Sequence, residues 1–338
     1  MNVMEKLRIA QVGTGHPHAK GQTDTILANP EFDLIGFAEP SPEYRHPESA
    51  GFEAPSTPYS KMRRYTVDEL LNMDDLDGIV IECQEEIGTE YAQMFADKGV
   101  HIFFDKPGTH GNASFEKLVR TCEEKNIILK MGYMYRTNPL VQRAMAMVKA
   151  GELGEIYAVE GHMSLCYPTS MCQWIGKHKG GMMYYLGCHM IDLVLQFMGG
   201  VPEKVIPMNC CTGQYGFTGE NYGYAVLQYK NGVSFVKTTC AEVNGFQRRQ
   251  LVICGSNGTI EIRPMEIPVS GPIYSQKAKA ICSLNGKTET WESDTFTRYG
   301  SCLQEFADHI RGKSENPCTP AYELDLFRTV MQCCGWED

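Results

Sequence analysis

A short segment near the start of the chain, LRIAQVGTG at residues 7–15, decides the fold class. Leu7–Val12 is mostly apolar, which predicts a buried strand, and it leads directly into two closely spaced glycines. Gly13 permits a tight turn after the strand, and Gly15 lets a pyrophosphate approach the backbone where a helix begins. We therefore predict the first strand, turn and helix of a dinucleotide-binding domain, whose cofactor contacts include Gly13, Thr14, Gly15 and His16.

A carboxylate at the end of the second predicted strand strengthens this interpretation. The third glycine of the usual fingerprint is missing, and His18 and Ala19 occupy that region. Glu39 follows the apolar run at residues 32–38, where an acid binds the adenosine ribose. It favours NAD over NADP, because a carboxylate repels a 2′-phosphate. Arg45 lies nearby and is able to accommodate such a phosphate, so NADP is not excluded.

The pattern of predicted elements changes near residue 132. Before it, apolar strands at residues 32–38, 78–83, 101–104 and 127–132 alternate with helices, which indicates a doubly wound parallel sheet. After it, Asn-Gly pairs at Asn231, Asn257 and Asn285 signal hairpins and hence antiparallel strands. We expect two α/β domains, a Rossmann domain over residues 1–132 and a mostly antiparallel one over residues 133–338, whose last helix is able to pack back on the first domain.

Composition narrows the class of partner and the compartment. The net charge is -10, from 31 basic and 41 acidic residues, with no basic run, so nucleic acid is not expected to bind. No apolar run is long enough to span a bilayer, and no secretory segment is evident, so no membrane partner is expected. The 14 cysteines form no disulfide or zinc-ligand pattern, which favours a reduced, cytoplasmic protein. We predict no metal site, because no third ligand accompanies His16 and His18 in the sequence.

Two further motifs carry the chemistry. Phe103–Pro107 ends a predicted strand with Asp105, Lys106 and Pro107, and Gly180-Gly181 precedes a helix with Gly187, His189 and Asp192. With the glycine turn, these motifs resemble the Gfo/Idh/MocA oxidoreductases, the glucose–fructose oxidoreductase and inositol dehydrogenase group. The resemblance covers nearly the whole chain. It implies a Rossmann domain, a second domain with a large open-faced sheet, and action on sugars and cyclitols.

The resemblance also implies roles for particular residues. Lys106 and His189 are the expected catalytic pair, and Asp105, Lys106 and Pro107 also contact the cofactor, with a cis Lys106–Pro107 bond. Asp105 replaces the usual glutamate, and Tyr185 stands where many members carry an aspartate. We expect His189 to act as general base, Lys106 to stabilise the alkoxide, and Tyr185 to take part as a third catalytic group. The expected substrate contacts are Lys106, Trp174, His178, Tyr185, His189 and Asp192.

Three functions are compatible with these residues. The first is an NAD(P)-dependent dehydrogenase for a sugar, cyclitol or glycoside hydroxyl. The second is an NAD-dependent, redox-neutral glycosidase, which the Tyr185 replacement keeps open. The third is a ligand-sensing family member without catalysis, against which the presence of both Lys106 and His189 argues. An open sheet face leaves apolar surface in water, so we also expect a homodimer or homotetramer.

Overall fold

The computed structural model describes residues 5–336, apart from residues 44, 45, 48, 50, 109 and 110. These residues form two compact units. The first unit contains the described residues as far as Tyr133 together with Tyr299–Leu324, and the second contains Met134–Arg298 and the described residues from Asp325. Residues 299–324 thus belong to the first unit, whereas the sequence pattern placed residues 133–338 in the second domain and expected only the last helix to be able to pack back.

The first unit is built on a six-stranded parallel sheet with the order β3-β2-β1-β4-β5-β6. The strands are β1 Leu7–Val12, β2 Phe32–Ala38, β3 Arg64–Tyr65, β4 Gly78–Ile81, β5 His101–Phe104 and β6 Leu129–Met131. The helices are α1 Ala19–Ala28, α2 Val67–Leu71, α3 Gly88–Lys98 and α4 Asn112–Glu124. Strand β4 is buried throughout, as expected for a sheet covered on both faces. The predicted doubly wound fold is confirmed.

The second unit is built on an eight-stranded sheet with the order β16-β15-β12-β11-β7-β10-β9-β8. Its first elements are α5 Pro139–Lys149, β7 Ile156–Ser164, α6 Thr169–Ile175 and α7 Cys188–Met198. The strands that follow are β8 Lys204–Pro207, β9 Tyr222–Tyr229, β10 Gly232–Thr239, β11 Gln250–Gly255, β12 Gly258–Ile262, β15 Lys279–Leu284 and β16 Lys287–Glu292. The short strands β13 Ile267–Pro268, β14 Ser275–Lys277 and β17 Phe296–Thr297 form a separate sheet. Only the β7–β10 pair of the large sheet is parallel, so the prediction of a mostly antiparallel sheet is confirmed.

Each Asn-Gly pair lies where a hairpin turns, but the turns differ. Asn285 and Gly286 both have positive φ, 51° and 75°, as a type I′ turn requires. Gly232 and Gly258 instead begin strands β10 and β12. Alternation of buried and half-exposed positions along β9 and β10 gives the large sheet one buried face and one open face.

Two helices end the chain, α8 Gly300–Ile310 in the first unit and α9 Pro320–Cys333, which continues into the second. No helix among the described residues is both long and apolar enough to cross a bilayer. The 14 cysteines all lie in the described part of the chain, and each is a free thiol.

Candidate active site

The glycine turn after β1 requires a glycine at its first position. Gly13 has φ +86°, and a Cβ added there would lie 2.5 Å from the backbone nitrogen of Cys83. Only glycine therefore fits between the ends of β1 and β4 without moving the backbone. The backbone amides of Gly13 and His16 donate to the carbonyls of Ala38 and Glu82 at 2.8 and 3.0 Å, which fixes the turn between the ends of β2 and β4. Gly13, Thr14 and Gly15 are all buried in this turn.

Glu39 at the end of β2 is bound to the same turn. The backbone N and the Oγ1 of Thr14 both donate to Glu39 Oε2, each at 2.6 Å. Glu39 also lines a cavity of about 560 Å³ with Arg64, Tyr91 and Met94. A cavity of this size beside a strand-end carboxylate fits the nucleoside part of a dinucleotide. Arg45, the alternative phosphate contact, lies outside the described residues.

Asp105, Lys106 and Pro107 follow β5 directly, at the same edge of the sheet. The backbone N of Lys106 donates to Asp105 Oδ1 at 2.7 Å, and the Lys106–Pro107 bond is cis, as expected. The Lys106 side chain is only 1% exposed. Burial of a lysine is costly, so a buried lysine at a strand's carboxyl end is a functional candidate.

Two histidines from the glycine turn converge on Asp105. Its Oδ2 lies 3.1 Å from Nδ1 of His16 and 3.0 Å from Nδ1 of His18. Two further carboxylates approach His16: Glu82 Oε2 lies 3.6 Å from Nδ1, and Glu85 Oε1 lies 3.8 Å from Nε2. The structure thus places Asp105 beside these two histidines, an acidic partner that the sequence pattern did not reveal. We call His16, His18, Asp105, Glu82 and Glu85 the histidine–carboxylate cluster.

Burial and charge separate the pKa values inside this cluster. Burial opposes the charged form of His16, but the Asp105 carboxylate outweighs it and raises the pKa of His16 to about 10. Burial lowers the pKa of the neighbouring His18 to about 3. Burial together with the charge of Asp105 raises the pKa of Glu82 to about 8. Burial alone would raise the pKa of Asp105, but His16 holds it well below its usual range.

The second group of predicted site residues lies in the other unit, around the start of α7. Gly180 and Gly181 have φ +85° and +43°, and added Cβ atoms there would overlap Cys334 and the Glu220 carbonyl. A π-helical turn, Met183–Gly187, then leads into α7. Such turns are uncommon and are frequent at functional sites. The sequence predicted a helix here but not this change of helical type.

An aromatic cluster surrounds Tyr185, which is buried in the π-helical turn. The Trp174 ring meets Tyr185 edge-on with centroids 5.7 Å apart and His178 with centroids 4.7 Å apart. Trp174 is half-buried, whereas His178 is buried. His189 is buried one turn along and meets the Tyr135 ring edge-on at 5.0 Å. Four predicted substrate contacts, Trp174, His178, Tyr185 and His189, therefore occur between the end of α6 and the start of α7.

Asp192 has a different environment from the one expected of a substrate contact. Its carboxylate accepts two hydrogen bonds from Arg136, at 2.9 and 2.8 Å, and two contacts from Gln196, at 3.0 and 3.1 Å. Four contacts fill the acceptor positions of one carboxylate. The Asp192 carboxylate therefore holds α7 against Arg136, and its contact with a substrate hydroxyl group stays a prediction.

The carboxylates after β4 were not predicted from the sequence. Glu82 and Glu85 lie at the carboxyl end of that strand, where parallel sheets place their sites. The run Glu82-Cys-Gln-Glu85-Glu86 directly after an apolar strand was the available signal. Their partner His16 lies far from them in the sequence, so the contacts of Glu82 and Glu85 with His16 could not be predicted from the sequence.

Two family models match most of the chain. Residues 7–133 match the model described as "Oxidoreductase family, NAD-binding Rossmann fold", and residues 141–261 match the "GFO/IDH/MocA C-terminal domain". The first match confirms the predicted nicotinamide cofactor. Both matches agree with the resemblance found in the sequence.

Individual relatives are distant. The chain is 28% identical over 167 residues to D-xylose 1-dehydrogenase (NADP(+)) 2 of Haloferax volcanii. The aligned residues make up 49% of this chain and 50% of that protein. It is 22% identical over 280 residues to the 2,7-anhydro-N-acetylneuraminate hydratase of Escherichia coli, over 78% of this chain and 70% of that protein. The chain thus spans about half the length of the first relative.

The fold also has solved counterparts. The aldose-aldose oxidoreductase of Caulobacter crescentus aligns with a TM-score of 0.78 over 98% of both chains, at 16% identity. This identity supports a shared fold alone. Because the family models match segments in both halves of the sequence, the chain belongs to the GFO/IDH/MocA family of oxidoreductases.

Proposed function

We propose that this protein is an NAD(P)-dependent dehydrogenase that oxidises a secondary hydroxyl of a sugar, cyclitol or glycoside. The observation that carries the proposal is Lys106, a buried amine directly after β5 in the nucleotide-binding unit. A lysine at that edge of the sheet is at the end where Rossmann domains bind their cofactor. The relative named as a D-xylose dehydrogenase supports a sugar-like substrate.

The chemistry divides between two side chains. Oxidation of an alcohol removes the hydroxyl proton while a hydride leaves the carbon, and the bound nicotinamide supplies the hydride acceptor. His189 accepts the hydroxyl proton, because imidazole titrates near neutral pH. Lys106 donates a hydrogen bond to the same oxygen and stabilises the negative charge that develops there. Both residues therefore serve one proton transfer.

The aromatic cluster in the second unit supports recognition of a polyhydroxylated ring. The half-buried Trp174 offers a flat apolar surface, and His178 and Tyr185 add polar groups beside it. The Tyr185 hydroxyl both donates and accepts hydrogen bonds, so it is able to replace the aspartate common in the family. Asp192 supports the site indirectly by fixing α7 through Arg136.

We propose NAD as the preferred cofactor. The Glu39 carboxylate beside the 560 Å³ cavity favours a ribose with two free hydroxyls and repels a 2′-phosphate. The proposed cofactor contacts form two groups. The glycine turn and Glu39 would contact the nucleotide part, and the residues that follow β5 would contact the nicotinamide. The two groups together are Gly13, Thr14, Gly15, His16, Glu39, Asp105, Lys106 and Pro107.

A redox-neutral reaction is the second candidate. The Escherichia coli relative, which matches 78% of this chain, is named as a hydratase, and such a reaction has no net oxidation. An enzyme of this class, such as an NAD-dependent glycosidase, oxidises its substrate transiently and then returns the hydride. The feature of this chain that favours the redox-neutral reaction is Tyr185, which replaces the aspartate common in the family.

One screen distinguishes these functions. Absorbance at the NADH band is followed while sugars, cyclitols and glycosides are offered with NAD and NADP in parallel. The proposal expects NADH to accumulate with at least one substrate. Product formation without net NADH supports the redox-neutral candidate instead. Cofactor binding without any product across the panel supports a ligand-sensing protein and contradicts both enzymes.

A further inference from the structure

We propose that Tyr135 is a positioning residue for His189, the base of the proposed dehydrogenation. The Tyr135 ring orients the His189 imidazole, and a buried ion network holds the hydroxyl group of Tyr135 in place. All of these side chains lie in the second unit. The kinetic consequence of this role rests on the proposed function, but the contact between the two rings is testable without turnover.

The contact between the two rings is close and has a defined geometry. The Tyr135 and His189 rings meet edge-on, with centroids 5.0 Å apart and ring planes at 80°. Both side chains are almost fully buried. Edge-on ring pairs at this distance are favourable beyond the area that they bury, so the pair resists rotation of either ring. Because a general base acts only within hydrogen-bond reach of the proton that it accepts, a restraint on the His189 ring bears directly on proton transfer.

Three charged side chains fix the hydroxyl end of Tyr135. The hydroxyl donates to Glu266 Oε2. Arg249 Nη1 donates to the Tyr135 hydroxyl oxygen and to Glu266 Oε2, each at 2.9 Å. Arg298 Nη1 lies 3.2 Å from the other oxygen, Glu266 Oε1. We call Glu266, Arg249 and Arg298 the tyrosine anchor.

The charges keep this anchor in one protonation state. Burial raises the pKa of the Tyr135 hydroxyl, which therefore stays a hydrogen-bond donor at neutral pH. Burial alone would raise the pKa of Glu266, but the guanidiniums of Arg298 and Arg249 hold it below its usual value. Glu266 is therefore an ionised acceptor, and the hydrogen bond from Tyr135 persists at neutral pH.

The residue next to Tyr135 holds the same helix at a second point. Arg136 binds Asp192, which lies three residues after His189 on α7. Residues three apart lie on one face of a helix, so the turn Met134–Thr137 contacts that face at two successive positions. The ion pair fixes the position of the helix, and the ring contact fixes the orientation of the imidazole.

Stability alone is a poor account of the tyrosine anchor. Buried ion pairs are often no more stabilising than apolar side chains of the same volume, because removal of the charges from water opposes folding. Here a buried carboxylate and two guanidiniums meet at one tyrosine hydroxyl, and the ring of that tyrosine contacts the proposed base. Locked supporting side chains of this kind are what a precisely oriented functional group needs.

The kinetic test uses the substrate found in the dehydrogenase screen. Tyr135→Leu removes the ring and should lower kcat roughly 100-fold, the loss expected when a catalytic group is displaced by about 1 Å. Tyr135→Phe retains the ring without its anchor and should lower kcat only about 10-fold. KM and the Kd for NAD should stay as in the wild type, because a positioning residue contacts neither ligand. Wild-type kcat in folded Tyr135→Leu, or in Tyr135→Phe where the leucine variant does not fold, would overturn the proposal.

A double variant shows whether Tyr135 acts through His189. In a His189→Ala background, Tyr135→Leu should lower kcat no further, because the ring that it positions is gone. Tyr229→Leu is the matched control, since it removes another buried tyrosine of the same unit, on β9, and it should keep wild-type kcat. An equal loss from Tyr135→Leu in both backgrounds would show a general structural effect and would overturn the proposal.

An NMR measurement tests the ring contact without any turnover. In full-length protein with ¹³C-labelled histidine rings, the His189 signal is identified by its absence from His189→Ala. The Tyr135 ring current shifts this signal, so it should move in Tyr135→Leu, keep most of its shift in Tyr135→Phe and stay unchanged in Tyr229→Leu. The same His189 signal in the wild type and in folded Tyr135→Leu would overturn the proposal. A screen without NADH would instead contradict the dehydrogenase function alone.

Discussion

Arg136 and Asp192 form a two-point ion pair in the second unit. Arg136 Nε donates to Asp192 Oδ2 at 2.9 Å, and its Nη2 donates to Oδ1 at 2.8 Å. Both side chains are almost fully buried, at 3% and 1% exposed. Because Gln196 also binds both oxygens, this carboxylate fixes the start of α7, the helix that carries His189.

The first prediction concerns the stability that this pair provides. Asp192→Asn leaves the buried guanidinium without its counter-charge, so it should cost about 3 kcal/mol of unfolding free energy. Such a loss corresponds to a Tm lower by roughly 6–12 °C in a domain of this size. Gln196→Ala is the control and should cost only about 1 kcal/mol. If Asp192→Asn keeps the wild-type Tm but abolishes turnover, Asp192 contacts the substrate and contributes little to stability.

The second prediction concerns cofactor choice. The wild type should bind NAD more tightly than NADP, because Glu39 lies beside the nucleoside cavity. Glu39→Gln removes the charge and should narrow the ratio of the two dissociation constants on the order of tenfold, equivalent to about 1.4 kcal/mol. Asp68→Asn, an exposed acid lining the same cavity, should leave the ratio unchanged. Equal or tighter NADP binding by the wild type would remove this role from Glu39.

The parts of the site that the sequence predicted are those that local chain geometry determines. Gly13 is required by its positive φ, and Glu39 and Lys106 lie at the ends of strands that were recognisable from their apolar residues. Parallel strands bring such ends to one edge of a sheet, so these positions followed from the pattern alone.

The parts that were missed depend on partners far apart in the chain. Arg136 and Asp192 are 56 residues apart, and His18 and Asp105 are 87 residues apart. A pattern of residue types reveals that a side chain is polar, but not which distant group will bind it. For this reason the sequence revealed neither the Arg136 partner of Asp192 nor the carboxylates beside His16 and His18.

The third prediction concerns self-association. Tyr224 and Phe235 stack with centroids 5.3 Å apart on strands β9 and β10, and Val233 nearby is 53% exposed. Apolar surface on an open sheet face favours a symmetric dimer or tetramer. Light scattering at micromolar concentration should therefore report an oligomer, and Val233→Lys should weaken it. Val243→Lys, an equivalent change outside the strands, is the control. A wild type that stays monomeric would count against an interface on this face.

The fourth prediction separates packing from chemistry at Tyr185. Tyr185→Phe retains the ring contact with Trp174 and removes only the hydroxyl, so the Tm should change little. If the hydroxyl replaces the family aspartate, turnover should fall roughly 100-fold, which is the lower end of the contribution of a positioned acid–base group. Full turnover in this variant would mean that Tyr185 only packs against its neighbours, with Lys106 and His189 acting alone.

The central claim is that Lys106 and His189 act together on one hydroxyl. Its most direct test is the turnover of Lys106→Ala, His189→Ala and the double variant, measured as NADH formation at saturating NAD and substrate. Each single variant should retain NAD binding, because neither side chain holds the pyrophosphate, yet lose on the order of 10²–10⁴-fold in kcat. The double variant should lose less than the product of the two single losses, because both groups serve one proton transfer. Wild-type kcat in either folded single variant, or losses that multiply in the double variant, would contradict the shared role.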